Sequence, residues 1–179
     1  MYKMKKQPEI TGQTRKNIIR AFCRLYEEKP IEKISVKDVI ALAGYNRSTF
    51  YVYFSDIYAL LEYIENDVID YIKNGFDSKT KSQIDLLNLF AAKEDYLKVL
   101  LGTFGCIHFQ DRLKTEFLKT SKLTESEDNL QPYVLEFHLT VSLSMYRLWL
   151  KRGKDLSTDE LASLIHTLYI SGAQGVLLD

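Results

Sequence analysis

SVKDVIALAGYNRSTFYVYF, residues 35–54, holds two short helices and the turn between them. Ser35 suits an N-cap, where its hydroxyl can accept a bond from a free backbone N–H of the first turn. Asp38, three residues on, puts an acid at the positive end of that helix. Val36, Val39, Ile40 and Ala43 recur at helical spacing and form an apolar stripe. Gly44 ends the helix, because glycine takes the left-handed conformation such a stop requires. Asn46 caps a second helix, expected from Arg47 to Phe54. A helix, a glycine turn and another helix in so short a stretch is the helix-turn-helix pattern.

Upstream, residues 1–11 read as a polar arm with Lys3, Lys5 and Lys6. A helix is expected from Thr14 to Lys29, with Ile18, Ile19, Phe22, Leu25 and Tyr26 on one face. Pro30 stops it. Downstream, Ser55-Asp56 breaks the chain, and Ile57 to Phe76 reads as one long helix with Leu60, Leu61, Ile64, Val68, Ile69 and Ile72 in its stripe. DSKTKS, residues 77–82, is a linker. Helices follow at 83–92, 95–104 and 108–120, then a polar loop at 123–131. The last two helices run from Pro132 to Arg152 and from Thr158 to Leu178, with Gly153 as the stop and Ser157 or Thr158 as the cap. There is no strand pattern. The fold class is all-α: a three-helix DNA-binding head carrying the helix-turn-helix, joined to a larger antiparallel helical bundle. The expected divisions are an arm at 1–11, a head at 12–72 and a bundle at 73–179.

The composition agrees with this layout. Among 179 residues, 46% are hydrophobic and 27% charged, and only three are proline. Those are the proportions of a soluble globular chain with room for long helices. No run approaches the roughly 20 apolar residues that span a bilayer. The lysine-bearing start has no apolar signal core, so a cytoplasmic protein without membrane partners is expected. Cys23 and Cys106 form no CxxC pair and read as buried thiols. The net charge is zero, yet it is unevenly spread. Residues 1–55 carry 11 Lys and Arg against 5 Asp and Glu, whereas residues 56–179 carry 13 against 19. A basic head on an acidic body suits a head that meets a polyanion. There is no glycine-rich phosphate loop, no GxSxG and no zinc motif, so no enzyme and no cofactor is expected. His108, His138 and His166 lack the i, i+3 or i, i+4 spacing of a metal pair on one helix, so no metal is expected either.

Residues 35–54 closely resemble the helix-turn-helix of the TetR family of regulators. The resemblance is carried by Asp38-Val39-Ile40, by Ala43-Gly44 and by Thr49-Phe50-Tyr51 with Tyr53-Phe54. With the preceding helix and YALLEYI, 58–64, it extends over residues 12–72. It implies a sequence-specific transcription regulator that binds double-stranded DNA. Arg47, Ser48, Tyr51 and Lys37 match positions that approach bases, and Ser35, Thr49 and Tyr53 match positions that hold phosphate. The residues themselves support this. Asn46, Arg47, Ser48 and Thr49 place four polar groups at a helix N-terminus, whose free N–H groups favour phosphate, and a groove-reading helix needs polar groups for bases. Bland roles also exist: Ser35 as a cap only, Tyr53 as a packed ring, Arg47 as a solvated side chain. One position departs from the family. Where many members carry a phosphate-gripping lysine, this chain has Ile57, and the lysines of the arm could replace it.

A regulator with one short reading helix needs a second copy, so a homodimer on a palindromic operator is expected. In HLTVSLSMYRLWL, 138–150, Leu139, Leu143, Tyr146 and Leu150 share a face and are assigned to the interface. LASLIHTLYISGAQGVLL, 161–178, is apolar almost all round, and its Ser171, Gly172, Ala173 and Gly175 would let helices approach. The resemblance also implies a small-molecule effector in the bundle. Phe104, His108, Phe109, Phe117, Tyr133, Phe137, His138 and Trp149 are aromatic candidates for its pocket, though an aromatic stripe at helical spacing is more often plain core. The expected function is repression released by a ligand. The alternatives are a ligand- or partner-dependent activator, and an interaction module with weakened DNA binding, which Ile57 favours.

Overall fold

A computed structural model describes residues 8–75, 83–105, 107–120 and 131–177, and every regular element among them is helical. In chain order these are α1 (Pro8–Glu28), a 3-10 turn (Ile31–Lys33), α2 (Val36–Ala43), α3 (Arg47–Tyr51) and α4 (Ile57–Gly75). Then come α5 (Gln83–Ala91), α6 (Glu94–Leu100), α7 (Ile107–Thr120), α8 (Gln131–Lys151) and α9 (Thr158–Leu177). The chain divides into a head, residues 1–66, and a body, residues 67–179. This division falls inside α4, six residues before the boundary expected at 72. Among the described residues no helix is long and apolar enough to cross a membrane.

In the head, α1 lays Ile18, Ile19, Phe22 and Tyr26 into a core completed by Val39, Phe50, Phe54, Ile57, Leu60 and Ile64. Burying each such side chain stabilises the fold by about 1.5–3 kcal/mol. Of the α2 stripe only Val39 is fully buried, while Val36, Ile40 and Ala43 are half-buried. Polar ties hold the elements together. Asn17 Nδ2 donates to Tyr45 Oη at 3.0 Å, joining α1 to the turn. Lys29 Nζ donates to Asp38 Oδ2 at 3.2 Å, joining the end of α1 to the start of α2.

In the body, Val68, Ile69 and Ile72 of α4 are buried, as are Leu87, Phe90, Leu97, Val99, Leu100, Phe109 and Leu113. From α8 come Leu139, Leu143, Tyr146 and Trp149, and from α9 Leu161, Ala162 and Ile165. The last two helices form an antiparallel hairpin. Near its open end, Tyr169 Oη donates to the His138 carbonyl at 2.6 Å, and at its turn Trp149 Nε1 donates to the Leu156 carbonyl at 2.8 Å. Gly153, at φ +74°, closes α8. Ser157 caps α9: its Oγ accepts from Glu160 N at 3.2 Å while Glu160 Oε2 accepts from Ser157 N at 2.7 Å.

Three expectations need correction. First, α1 begins at Pro8, inside the supposed arm at 1–11. Proline is favoured in the first turn of a helix, where its missing N–H costs nothing. Lys3, Lys5 and Lys6 lie outside the described residues, as does Cys106, whereas Cys23 is buried in the head. Second, α3 ends at Tyr51 rather than Phe54, with Val52 and Tyr53 in a turn. Third, Leu139, Leu143 and Tyr146 of the face assigned to the interface pack into the body's own core, and Leu150 of that face is half-buried. Both long faces of α8 are apolar, and periodicity alone does not say which one turns inward.

Gly44 offers a clean test of the turn. It sits at φ +74°, and a Cβ added there would meet nothing within 4 Å. Any cost of Gly44→Ala is therefore backbone strain, about 1–2 kcal/mol. Gly44→Asn is expected to lose less, since asparagine tolerates this conformation. Urea unfolding followed by circular dichroism would measure both, and an unchanged midpoint in Gly44→Ala would mean that the turn is built differently.

Candidate nucleic-acid interface

The helix-turn-helix is assembled by caps at each start and buried rings at its end. At α2, Ser35 Oγ accepts from Asp38 N at 3.2 Å, and Asp38 Oδ2 accepts from Ser35 N at 3.1 Å. This capping box satisfies two of the helix's free donors reciprocally. The Ser35 backbone N–H, and after it the Lys29 ammonium, hold the Asp38 carboxyl below the usual carboxylate range. Ser35 is thus occupied as a cap, though its hydroxyl also lies exposed at the helix start. Lys37, two residues on, is exposed.

At α3 a single atom does the capping. Asn46 Oδ1 accepts from Thr49 N at 2.8 Å, from Thr49 Oγ1 at 2.8 Å and from Ser48 Oγ at 2.7 Å. An amide oxygen has no proton, so both hydroxyls must donate to it. Their lone pairs are what Ser48 and Thr49 offer to other groups in this arrangement. Ser48 is exposed and Thr49 half-buried.

One turn later the helix is anchored. Phe50 and Phe54 are buried, with centroids 5.7 Å apart, and Phe54 meets Tyr63 of α4 edge-on at 5.6 Å. The Arg15 guanidinium of α1 lies 5.3 Å over Tyr63. Between cap and anchor stand Arg47 and Tyr51, both exposed, Tyr51 by 49%. The Arg47 guanidinium lies 6.0 Å over the Tyr51 ring, whose other neighbour is the edge of Phe50 at 5.7 Å. A cation–π contact of this kind, about 0.5–1 kcal/mol when exposed, narrows the freedom of a long side chain. Tyr53 is half-buried beside Phe54.

Ile57 is only 6% exposed and belongs to the head core. The carboxylate before it caps α4: Asp56 Oδ1 accepts from Ala59 N at 2.8 Å. The sequence pattern does not single out Tyr58, which follows directly and is among the most exposed aromatic residues of the head. Its signal is positional, since Ile57, Leu60 and Ile64 mark the buried stripe of α4 and Tyr58 stands off it.

The aromatic candidates of the body fall in different places. Phe109 and Trp149 are core. Phe104, His108, Tyr133 and Phe137 are exposed. His138 is half-buried against Tyr169, with centroids 3.9 Å apart, and burial pushes its imidazole below the usual range. Phe137 joins these two rings. The Phe117 side chain lies outside the described residues, as do those of Gly172, Ala173 and Gly175. Among the described residues no three His, Cys, Asp or Glu side chains group as a metal site would.

Residues 18–64 match the model of the bacterial regulatory proteins of the tetR family. No curated protein matches the sequence. In fold the chain is similar to a TetR transcriptional regulator from Streptococcus agalactiae 2603V, at 23% identity, covering 90% of this chain and 96% of that one, with a TM-score of 0.64. It is similar to the dihydroxyacetone kinase operon activator DhaS, at 22% identity over 90% and 96%, TM-score 0.54. It is also similar to the fatty acid degradation regulator FadR from Bacillus halodurans, at 15% identity over 96% and 99%, TM-score 0.62. Residues 18–64 thus match the N-terminal domain of the tetR family, with α2–α3 as its helix-turn-helix, and the fold is shared with TetR-type regulators along about nine-tenths of the chain.

Proposed function

We propose that this regulator is a homodimeric repressor that reads a palindromic operator through α3 and leaves it when a small molecule binds in the body. The observation that carries the reading is the exposed Arg47–Tyr51 pair on a helix fixed at both ends. An arginine in the major groove can bond guanine O6 and N7 together, and a tyrosine offers a hydroxyl and a ring face. Ser48 completes the reading edge, with Lys37 beside it on α2. Ser35, Asn46, Thr49 and Tyr53 border the same element and suit phosphate contacts, which fix register rather than sequence. Tyr58 supplies a hydroxyl next to Ile57, where the family's lysine is missing.

Symmetry follows from the shortness of α3. Two copies must place their reading helices about 34–36 Å apart to enter successive major grooves. The outward stripe of α8, with Phe137, Val141, Ser144 and Leu148 at i, i+4, i+7 and i+11, suits the interface. Phe137 and Leu148 are exposed, as is Ile170 on α9. A ligand can weaken operator binding only by its preference for the non-binding shape, commonly about 1–3 kcal/mol. DNA must then weaken the ligand by the same factor.

Activation is the second reading, and DhaS, described as an operon activator, favours it. Both readings need the same head. A transcription assay with the operator moved relative to the promoter separates them: a repressor acts where it overlaps the promoter, an activator only upstream.

Arg47→Ala and Tyr51→Ala are each expected to weaken specific operator binding by about 1–3 kcal/mol with little change in melting temperature. Fluorescence anisotropy at stated salt would measure this, and unchanged affinity in both variants would remove the pair from the reading surface. For the dimer, Ile170→Glu changes a side chain that is 72% exposed, so the core is untouched. Sedimentation velocity is expected to show a dimer for the wild type and a monomer for this variant. A wild-type monomer at micromolar concentration would sink the symmetric reading.

A further inference from the structure

Tyr146 is completely buried in the body. Among the described residues, its Oη is a buried side-chain oxygen without a hydrogen-bond partner. Native interiors rarely leave such a group unsatisfied, because the desolvation it suffers is not repaid. Phenylalanine would fill nearly the same volume without that cost. The hydroxyl therefore adds nothing to packing, and an acceptor from outside the chain would satisfy it.

The surroundings define what that acceptor is. Phe90 meets the Tyr146 ring edge-on, with centroids 5.1 Å apart, and Trp149 lies 5.7 Å away on the same residue. These rings make apolar, polarisable walls. Burial, and after it the Glu94 carboxylate, push the phenol above the usual tyrosine range, so it keeps its proton and acts as a donor. Glu94 is bound in turn by Lys154 Nζ at 3.0 Å, and that ammonium lies 5.9 Å over the Trp149 ring. The Glu94–Lys154 pair is partly exposed and joins α6 to the turn between α8 and α9. Exposed pairs of this kind hold weakly.

We propose that Tyr146 is the polar anchor of an effector site in the body, donating its hydrogen bond to an acceptor oxygen of a small, neutral, largely apolar molecule held against Phe90 and Trp149. This rests on the reading of the body as a ligand sensor and gives that reading a residue and a ligand class. An acceptor is required because the phenol donates. A neutral molecule is favoured because an anion would lose its own hydration on entering among buried rings. Of the sequence's aromatic candidates whose side chains are described, only Trp149 belongs to this site.

The chain has one tryptophan, so Trp149 fluorescence reports directly on the site, with calorimetry as a second measure. Three probes separate the claims: acetophenone, with a carbonyl acceptor; ethylbenzene, of similar shape without one; and benzoate, the anion. Acetophenone is expected to bind saturably and more tightly than either of the others. Tyr146→Phe is expected to weaken acetophenone about three- to tenfold, the worth of one neutral hydrogen bond, and to leave ethylbenzene unchanged. The same variant should melt no lower than the wild type, since it removes an unsatisfied group. Equal acetophenone affinity in both proteins would overturn the anchor. So would the lack of a saturable response up to about 10 mM, where a ligand of this size still registers. A melting temperature several degrees lower in Tyr146→Phe would also overturn it, by showing that a buried water already satisfies the hydroxyl. The release reading fails separately: if the Tyr146 dependence holds and saturating acetophenone leaves operator affinity unchanged, the anchor stands and ligand-driven release does not.

Discussion

Between α2 and α3 the chain has three residues in which to end one helix and start another, and the head's DNA-binding element rests on how it does so. Gly44 supplies the left-handed step, at φ +74°. Asn46 then returns to extended backbone and gathers three donors on one oxygen. The result is a helix of five residues. A helix that short has no stability of its own, because nucleation costs more than so few hydrogen bonds return. It exists because its start is capped and its end is nailed down by Phe50 and Phe54. Arg47 and Tyr51 inherit their placement from that arrangement.

The helix α4 carries a comparable constraint over a longer distance. Its stripe is buried in the head at Ile57, Leu60 and Ile64, and in the body at Val68, Ile69 and Ile72. Its second half has polar ties as well. Lys93 Nζ bonds Asp67 Oδ2 at 2.5 Å and lies 5.0 Å over the Tyr71 ring. Lys73 meets Glu116 of α7 at 3.3 Å. Partly exposed pairs are commonly worth about 0–1 kcal/mol, so the apolar stripe holds α4 to the body and the ion pairs set its rotation more than its stability.

How much of this was legible in the sequence depends on whether the deciding contacts are local. The caps at Ser35 and Asn46, the stop at Gly44 and the inward rings Phe50 and Phe54 are all set within a few residues, and the head's motif could be read from them. The end of α3 could not: the pattern continues through Val52 and Tyr53, and only the burial of Phe54 against Tyr63 decides where the chain turns. The start of α1 at Pro8 was hidden because Pro8 to Gln13 is polar and shows no stripe. In the body the failures are of another kind. α8 has two apolar faces at helical spacing, and the choice between them is made by contacts such as that of Tyr146 with Phe90 of α5, which is distant in sequence. Tyr146 was therefore assigned to an interface although Phe90 and Trp149 enclose it. Aromatic content marks Tyr133 and Phe137 as pocket candidates, and both are exposed.

Ile57 and Asp56 together bear on how such a head would hold DNA. The N-terminus of α4 would ordinarily present free N–H groups and a partial positive charge to phosphate. Here Asp56 takes one of those donors and brings a negative charge to the same place. Ile57, buried, puts no cation beside it. On the proposed reading, the start of α4 is thereby removed from the set of strong phosphate sites, and so is that of α2, where Asp38 takes the Ser35 N–H, so the grip passes to α3, whose start is capped by the neutral Asn46. Each lost phosphate contact lowers affinity for all sequences alike, whereas base contacts by Arg47 and Tyr51 act only on the right one. On the proposed reading, the exchange of a lysine for a buried isoleucine does not abolish DNA binding. It moves the balance from general attraction towards discrimination, and it leaves the operator complex more dependent on the geometry that Asn46 and Phe50 impose on α3.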